Sequence, residues 1–387
     1  MRIGIDATPL PKEPVGAGTY IIHLIQALAC WRAEHEASKD ELEFFIFAHQ
    51  SGRAQINVPA SPGVNWIILP EKHPAHRMIW EQTTLPILVS HWRINLLHSL
   101  HYTRPIILPC ASVVTFHDMT FFIYPNLHTR IKRTFFPLAI RFSARQSHAL
   151  IATSESTRRD SIRLLNIPAH KIITVPNGIS EEFRPISDVA ILEGCRRKYR
   201  LPKEFILYVG LIEPRKNLPL LLRAYARLAR EGNCPSLVIT GRFGWRYEDV
   251  ARQLDALNLN DRVHFTGYLP TQDLPMVYNL AQIFVYPSIY EGFGFPPLEA
   301  MSCGTPVIAT SVSAMVDHIG DAGILVPPQN EDALLEAMVR LLGDRELQEN
   351  LSIRGRERTS NFTWKRTAQE TLQVYRRVET TIKNTAR

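Results

Sequence analysis

The 387-residue chain is poor in cysteine: five residues at 30, 110, 195, 234 and 303, an odd number with no C-x-x-C pair. That excludes a disulfide framework and a structural zinc site of ordinary spacing, and it fits a reducing cytoplasm. No apolar run approaches the ~18–20 residues that a membrane-spanning helix requires. The opening MRIGID runs straight into turn residues, with no long apolar stretch or small-residue cleavage site, so no secretory leader is expected. No low-complexity tract and no short internal repeat occurs. No D-x-D occurs either, which removes acidic metal clamps of that kind. Gly16-Ala17-Gly18-Thr19-Tyr20 lacks the third glycine of a dinucleotide fingerprint, and no acidic partner follows at a suitable strand end. A nicotinamide-binding role is therefore poorly supported.

What is present describes an ordinary globular protein, 45% hydrophobic and 21% charged. The length suits two domains of roughly 150–200 residues each. The net charge of +7 is uneven: residues 1–180 hold 18 Lys/Arg against 12 Asp/Glu, and residues 181–387 hold 26 against 25. Between His128 and Arg163, eight basic residues face only Glu155 and Asp160. Such a stretch invites anionic partners, lipid headgroups or a lipid phosphate among them; a solvated helix face is the alternative. Ile131, Phe135, Phe136, Leu138, Ile140 and Phe142 lie among those basic residues and would form either a membrane-facing stripe or core. No aromatic-basic interleaving or recognised motif supports nucleic-acid binding.

Short β-rich runs alternate with amphipathic segments, the pattern of parallel α/β units. The first set of predicted strands is Ile3–Asp6, Phe44–Ala48, Trp66–Leu69, Ile94–His98, Val113–Phe116, Leu150–Thr153 and Ile172–Val175. Ile21, Leu24, Ile25 and Leu28 mark a helix after the first. The pattern restarts with Phe205–Val209, Leu237–Thr240, Val263–Thr266, Phe284–Tyr286, Val307–Ala309 and Ile324–Val326, separated by helices such as Leu218–Arg230 and Met276–Gln282. The charged, proline-bearing segment Glu181–Pro202 divides the sets, with Phe183-Arg184-Pro185 as the linker. The expected domains are residues 1–182, joined by a terminal helix over about 364–387, and residues 183–363. Ligands of parallel sheets bind at the carboxyl ends of the strands.

The chemistry concentrates at two such ends in the second set and the His-bearing end of the first. In residues 287–310, PSIYEGFGFPPLEAMSCGTPVIAT, a strand leads into Glu291-Gly292-Phe293-Gly294-Phe295. Pro296 and Pro297 suit the first turn of the next helix. The glycines permit close main-chain approach, and free amides at a helix start favour phosphate or hydroxyl oxygens. Glu291 and Glu299 supply carboxylates, strong acceptors for sugar or ribose hydroxyls. In YVGLIEPRKNLPLLLRAY, residues 208–225, Gly210 follows a strand and Arg215-Lys216 precede a helix, a fit for a diphosphate. VVTFHDMTFF, residues 113–122, delivers His117 and Asp118 to a loop.

The segment 287–310 resembles, over more than twenty consecutive residues, the E-x7-E signature of the family 4 glycosyltransferases. These are retaining enzymes of GT-B fold, with two Rossmann-like parallel-sheet domains facing across a cleft. The resemblance implies that Glu299 holds the donor ribose. It sets Glu291 beside the transferred sugar, with the amides of Phe293 and Gly294 on its hydroxyls and Phe295 completing the donor loop. It assigns Arg215, Lys216 and Gly210 to the donor pyrophosphate and His117 to the transferred sugar. Gly16 and Gly18 resemble the family's first-loop motif near donor phosphate and acceptor. ITGRFGWRYEDV, residues 239–250, sets Gly241 at the nucleotide edge before a Trp245-headed helix. VHFTGYL, residues 263–269, brings Tyr268 and Leu269 to the loop that reads the base.

The function implied is transfer of a hexose from a nucleotide diphosphate sugar to a saccharide or lipid-linked acceptor, in polysaccharide or glycolipid assembly. No cofactor and no metal are expected, because Arg215, Lys216 and helix amides supply the countercharge. The full pattern looks most like bacterial mannosyltransferases, favouring GDP-mannose over a UDP-sugar. Front-face displacement and double displacement through Glu291 both remain open. The expected location is cytoplasmic, with peripheral contact on an anionic inner membrane face through 128–145. The rival readings are an epimerase of similar architecture and a non-catalytic nucleotide-sugar-binding protein; an intact set of Glu291, Glu299, Arg215, Lys216 and His117 argues against the second.

Overall fold

The computed structural model describes residues 1–35, 42–58, 61–70, 74–230, 232, 234–244 and 248–385. Among the described residues, thirteen strands form two sheets, each parallel throughout. The first comprises β1 (Arg2–Asp6), β2 (Glu43–His49), β3 (Val64–Leu69), β4 (Leu96–Ser99), β5 (Ala111–Phe116), β6 (Ala149–Ala152) and β7 (Ile172–Thr174), in the order β3-β2-β1-β4-β5-β6-β7. The second comprises β8 (Phe205–Val209), β9 (Ser236–Thr240), β10 (Val263–Gly267), β11 (Ile283–Tyr286), β12 (Val307–Thr310) and β13 (Ile324–Val326), in the order β10-β9-β8-β11-β12-β13. Every predicted strand is present, because strands buried on both faces read as short aliphatic runs. In each sheet the order reverses at one point, β1/β4 in the first and β8/β11 in the second, and ligands of open α/β sheets bind at that point.

The chain divides into residues 1–178 with 363–387, and residues 179–362. In the first unit the helix Trp364–Thr385 buries Ala368, Leu372, Tyr375 and Val378 with the helix Ala17–Glu34, whose Tyr20, Ile21, Leu24 and Leu28 face the same core. This contact also has a polar part: the Tyr375 hydroxyl lies 2.6 Å from His98 Nδ1, and Thr115 Oγ1 lies 2.8 Å from His98 Nε2. Burial holds His98 neutral, its pKa lowered to about 3.

The second unit begins earlier than the expected residue 183. Ile179 N–H donates to Phe362 O, and Phe183, expected in a linker, is buried against the Tyr278 ring. The charged segment read as a boundary instead builds the helix Val189–Tyr199 of this unit. Asp188 caps it through the amides of Ala190 and Ile191, and Lys198 pairs with Asp273 at 2.6 Å. A cap of this kind is worth about 1 kcal/mol, enough to start a helix in a charged stretch.

The basic segment 128–145 lies largely in the helix Arg130–Gln146. Ile140 is in the core and Phe136 stacks on Phe121 at 4.5 Å, so these are not part of an outward stripe. Ile131, Phe135 and Leu138 are 80%, 40% and 69% exposed. Their i, i+4, i+7 spacing sets them on one helix face. Among the described residues, no helix is long and apolar enough to cross a membrane.

Candidate active site

The second unit assembles its candidate residues at the β8/β11 reversal. After β8, Gly210 leads to a short 3-10 turn, Pro214–Lys216, that ends on Asn217 at φ 53°. Asparagine tolerates that left-handed conformation, so the turn closes and carries Arg215 and Lys216 with it. After β11 comes the loop of Glu291. The two loops are tied by Ile289 N–H donating to Arg215 O at 2.9 Å.

Four groups converge on one oxygen of Glu291. Lys216 Nζ lies 2.6 Å and Arg215 Nη1 2.9 Å from Oε1. The hydroxyls of Ser288 and Tyr286 lie 2.6 and 3.0 Å from the same atom. Lys216 also donates to the Tyr286 hydroxyl, and Arg215 to the Tyr290 carbonyl at 2.8 Å. Glu291 and Lys216 are 6% and 8% exposed, so these are buried charges that require partners. Burial pushes the Glu291 carboxyl up, but Arg215, Lys216 and the Ser288 hydroxyl outweigh it and hold the pKa at about 2. Burial and Arg215 push the Lys216 ammonium down against the pull of Glu291. Glu213 pairs with Arg215 at 2.9 Å, so two carboxylates balance two cations here.

Glu299 stands apart from that cluster. It lies on the helix Phe295–Ser302, partly open to solvent, and accepts from the Tyr278 hydroxyl at 2.9 Å. Burial of the carboxyl raises its pKa to about 7, and the Tyr278 bond only partly counters this. The same acid at two positions therefore has opposite character: Glu291 is held ionised and Glu299 titrates near neutrality.

The rest of the predicted set is distributed as follows. Phe293 is buried, its carbonyl 2.8 Å from His318 Nδ1, and its ring lies 4.9 Å from that of Phe295. Gly294, at φ 85°, caps the helix Phe295–Ser302. Gly241 is needed for chain packing: a Cβ there would lie 2.0 Å from the Gly210 carbonyl oxygen. Leu269 is core, whereas Tyr268 is exposed under the Arg242 guanidinium, 4.1 Å from its ring centroid. Trp245 of the GRFGW run lies outside the described residues.

In the first unit, Gly16 precedes the helix Ala17–Glu34 at φ 55° with open space around it, so conformation rather than room calls for glycine there. Gly18 lies inside that helix and faces Pro14, whose Cβ an added methyl would meet at 2.8 Å. His117 follows β5. Its Nε2 lies 2.8 Å from the Leu100 carbonyl, which can only accept, so Nε2 carries the proton. Burial lowers its pKa, and the neutral ring keeps Nδ1 as an acceptor. Asp118 is occupied in a local turn, accepting from Thr120 N–H at 2.9 Å and Thr120 Oγ1 at 2.7 Å. Among the described residues, no three His, Cys, Asp or Glu gather to hold a metal ion.

The sequence did not single out Tyr286, Ser288, Tyr278 or Glu213. For Tyr286, Ser288 and Glu213 the signal was only proximity: Tyr286 ends β11, Ser288 follows it ahead of Glu291, and Glu213 precedes Arg215-Lys216; Tyr278, on the helix Leu274–Leu280, left none.

This arrangement has clear relatives. Residues 196–358 match the Glycosyl transferases group 1 family and residues 15–183 match Glycosyltransferase Family 4. The O-antigen chain mannosyltransferase B of Escherichia coli is 30% identical over 383 residues, spanning 97% of this chain and 100% of that protein. Sucrose-phosphate synthase from Thermosynechococcus elongatus matches in structure with a TM-score of 0.76 at 23% identity, over 98% of this chain and 99% of that one. The Anabaena protein HepE, solved in complex with UDP, matches with a TM-score of 0.71 at 16% identity, over 97% of this chain and 99% of its own. The family signature, the two parallel sheets and the carboxylates at the β8/β11 reversal agree: the chain belongs to the group 1, family 4 glycosyltransferases and has their GT-B fold.

Proposed function

We propose that this glycosyltransferase moves a hexose, mannose foremost, from a nucleotide diphosphate sugar to a saccharide or lipid-linked acceptor, with retention of anomeric configuration. The observation that carries this reading is the convergence of Arg215 and Lys216 on Glu291 at the β8/β11 reversal. Similarity to the E. coli O-antigen chain mannosyltransferase B along its full length supports mannose, with GDP-mannose ahead of a UDP-sugar, and a place in polysaccharide assembly.

In this reading Glu299 accepts from the ribose hydroxyls, and Arg215 and Lys216 take the diphosphate with Gly210 beside them. Glu291 and the amides of Phe293 and Gly294 meet the transferred sugar, with Phe295 completing the loop. Gly241, Tyr268 and Leu269 line the nucleoside; His117, Gly16 and Gly18 serve sugar, phosphate and acceptor from the first unit. Fixed cations aimed at the leaving phosphate stabilise charge without a metal. Glu291 is tied by four donors and weakly basic, which makes it a poor nucleophile and favours front-face displacement. The acceptor oxygen bonds to the anomeric carbon as the bond from that carbon to the phosphate oxygen breaks. The acceptor proton then passes to the departing phosphate.

The test is turnover of GDP-mannose and UDP-glucose in EDTA, with the product anomer read by NMR. Retention without metal supports the proposal. Inversion, a strict metal requirement, or nucleotide binding with no transfer contradicts it, the last in favour of a binding protein.

The exposed Ile131, Phe135 and Leu138, beside Lys132, Arg133 and Arg141, support peripheral contact with an anionic membrane face. Flotation with phosphatidylglycerol vesicles checks it. Binding is expected to fall when all three apolar residues become serine, and equal binding to neutral vesicles would contradict the charge argument.

A further inference from the structure

His101 follows β4, one of the two strands at the sheet reversal of the first unit, and the turn holding it is strained. Tyr102 has φ 54°, and Thr103 N–H donates back to the His101 carbonyl at 2.6 Å. An i to i+2 bond around a residue of positive φ is a rare γ-turn, and a bulky buried tyrosine is an unfavourable residue for it. The surroundings enforce the conformation. Tyr102 N–H donates to Thr115 O at 3.0 Å, its hydroxyl accepts from Asp118 N–H at 3.0 Å, and Thr103 Oγ1 donates to Glu81 at 3.0 Å. The Tyr102 ring packs edge-on against Phe121 at 5.6 Å and His117 at 5.7 Å.

The turn leaves a polar atom unsatisfied. Among the described residues, His101 Nδ1 is buried with no well-formed hydrogen bond; the acceptor beside it is its own backbone carbonyl, which already accepts from Thr103 N–H. Arg77 pairs with Glu81 through Nη2 at 3.4 Å, and its Nη1 is likewise buried without a partner. The His101 ring centroid lies 5.6 Å from that of His117. Buried polar atoms left unpaired by a costly backbone turn mark a place where a ligand completes the bonding. A sugar hydroxyl suits it, because a hydroxyl both donates and accepts.

We propose that His101 is a second substrate-contacting imidazole, presented by the Tyr102 turn to take a hydroxyl of the saccharide acceptor. Acceptor rather than donor follows from geometry: transferred sugar and acceptor become joined by one glycosidic bond, so the acceptor's contacts lie a few ångströms from those of the sugar at His117. The inference rests on the transferase reading above and on His117 serving the transferred sugar.

The test is steady-state transfer from GDP-mannose to methyl α-mannoside by the full chain, for wild type, His101→Ala and His101→Asn, with GDP affinity and thermal melting measured alongside. Alanine is expected to raise the acceptor KM about 10- to 100-fold, with GDP affinity and the melting temperature little changed. Asparagine, which keeps a polar atom near the position of Nδ1, is expected to recover a large part of the loss. Acceptor KM within twofold of wild type, or acceptor and donor KM rising together, would overturn the role of His101 alone. Absence of transfer by the wild type would overturn the transferase reading and this inference with it.

Discussion

Replacing Glu291 by glutamine keeps the shape of the β8/β11 cluster and removes its charge. The carboxyl is 6% exposed and its pKa falls from 4.5 to about 2, so at 1.36 kcal/mol per unit the ionised form contributes about 3 kcal/mol at neutral pH. A folded pKa below the unfolded one gives stability that is complete above the unfolded value and lost as pH falls through the folded value. Wild type is therefore expected to exceed Glu291→Gln by about 3 kcal/mol from pH 6 to 8, the gap closing between about pH 4.5 and 2. Hydrogen exchange in the peptides carrying β8 and β11, corrected for intrinsic rates, reads the second unit alone. Adding Lys216→Met should recover part of the loss, because an unpaired buried cation costs more than an absent pair. A gap under about 1 kcal/mol, or one that persists unchanged to pH 3, would show that the cluster does not hold Glu291 ionised and would refute the reasoning.

Other consequences follow from the same geometry. The Glu299 carboxyl, raised to about 7, ionises as pH passes neutrality, and a carboxylate accepts ribose hydroxyls more strongly than the acid. Nucleotide affinity should thus rise from pH 6 to 8 by calorimetry and become flat in Glu299→Gln; the raised pKa also means that this group's contribution to stability is full below about pH 4.5 and is lost as pH rises to about 7. Tyr375→Phe strips the 2.6 Å partner from buried His98 Nδ1 and should cost about 1–3 kcal/mol in a denaturant titration. Gly241→Ala drives a Cβ to 2.0 Å of the Gly210 carbonyl oxygen, a backbone contact that no rotamer relieves. It should lower the melting temperature of the protein by several degrees, equivalent to about 1–3 kcal/mol.

The strands were legible because a parallel strand covered on both faces needs little more than a short apolar run, and each of β1 to β13 has one. Glu291 and Glu299 were legible through their spacing and resemblance, but their character was not. Whether a carboxyl is held at about 2 or raised to about 7 depends on what surrounds it: Arg215 and Lys216 outweigh burial at Glu291, whereas at Glu299 burial prevails over the single Tyr278 hydrogen bond. Phe183 read as linker because a phenylalanine between charges and a proline says nothing of the distant Tyr278 ring it meets. The stripe in 128–145 was half legible: helical spacing separates Ile131, Phe135 and Leu138 from Ile140, yet only packing says which side faces out. His101 was invisible, since neither an unsatisfied nitrogen nor a positive φ at Tyr102 leaves a mark in composition or period.

The central claim, that Glu299 and Arg215 hold a nucleotide diphosphate sugar, is tested most directly by calorimetric binding of GDP-, UDP-, ADP- and dTDP-sugars without added metal. Wild type, Glu299→Ala and Arg215→Ala are compared on the same panel. One nucleotide sugar binding to the wild type, weakened at least about tenfold by each substitution, is the predicted result. Binding of none, or binding that neither substitution alters, would contradict the assignment of this site.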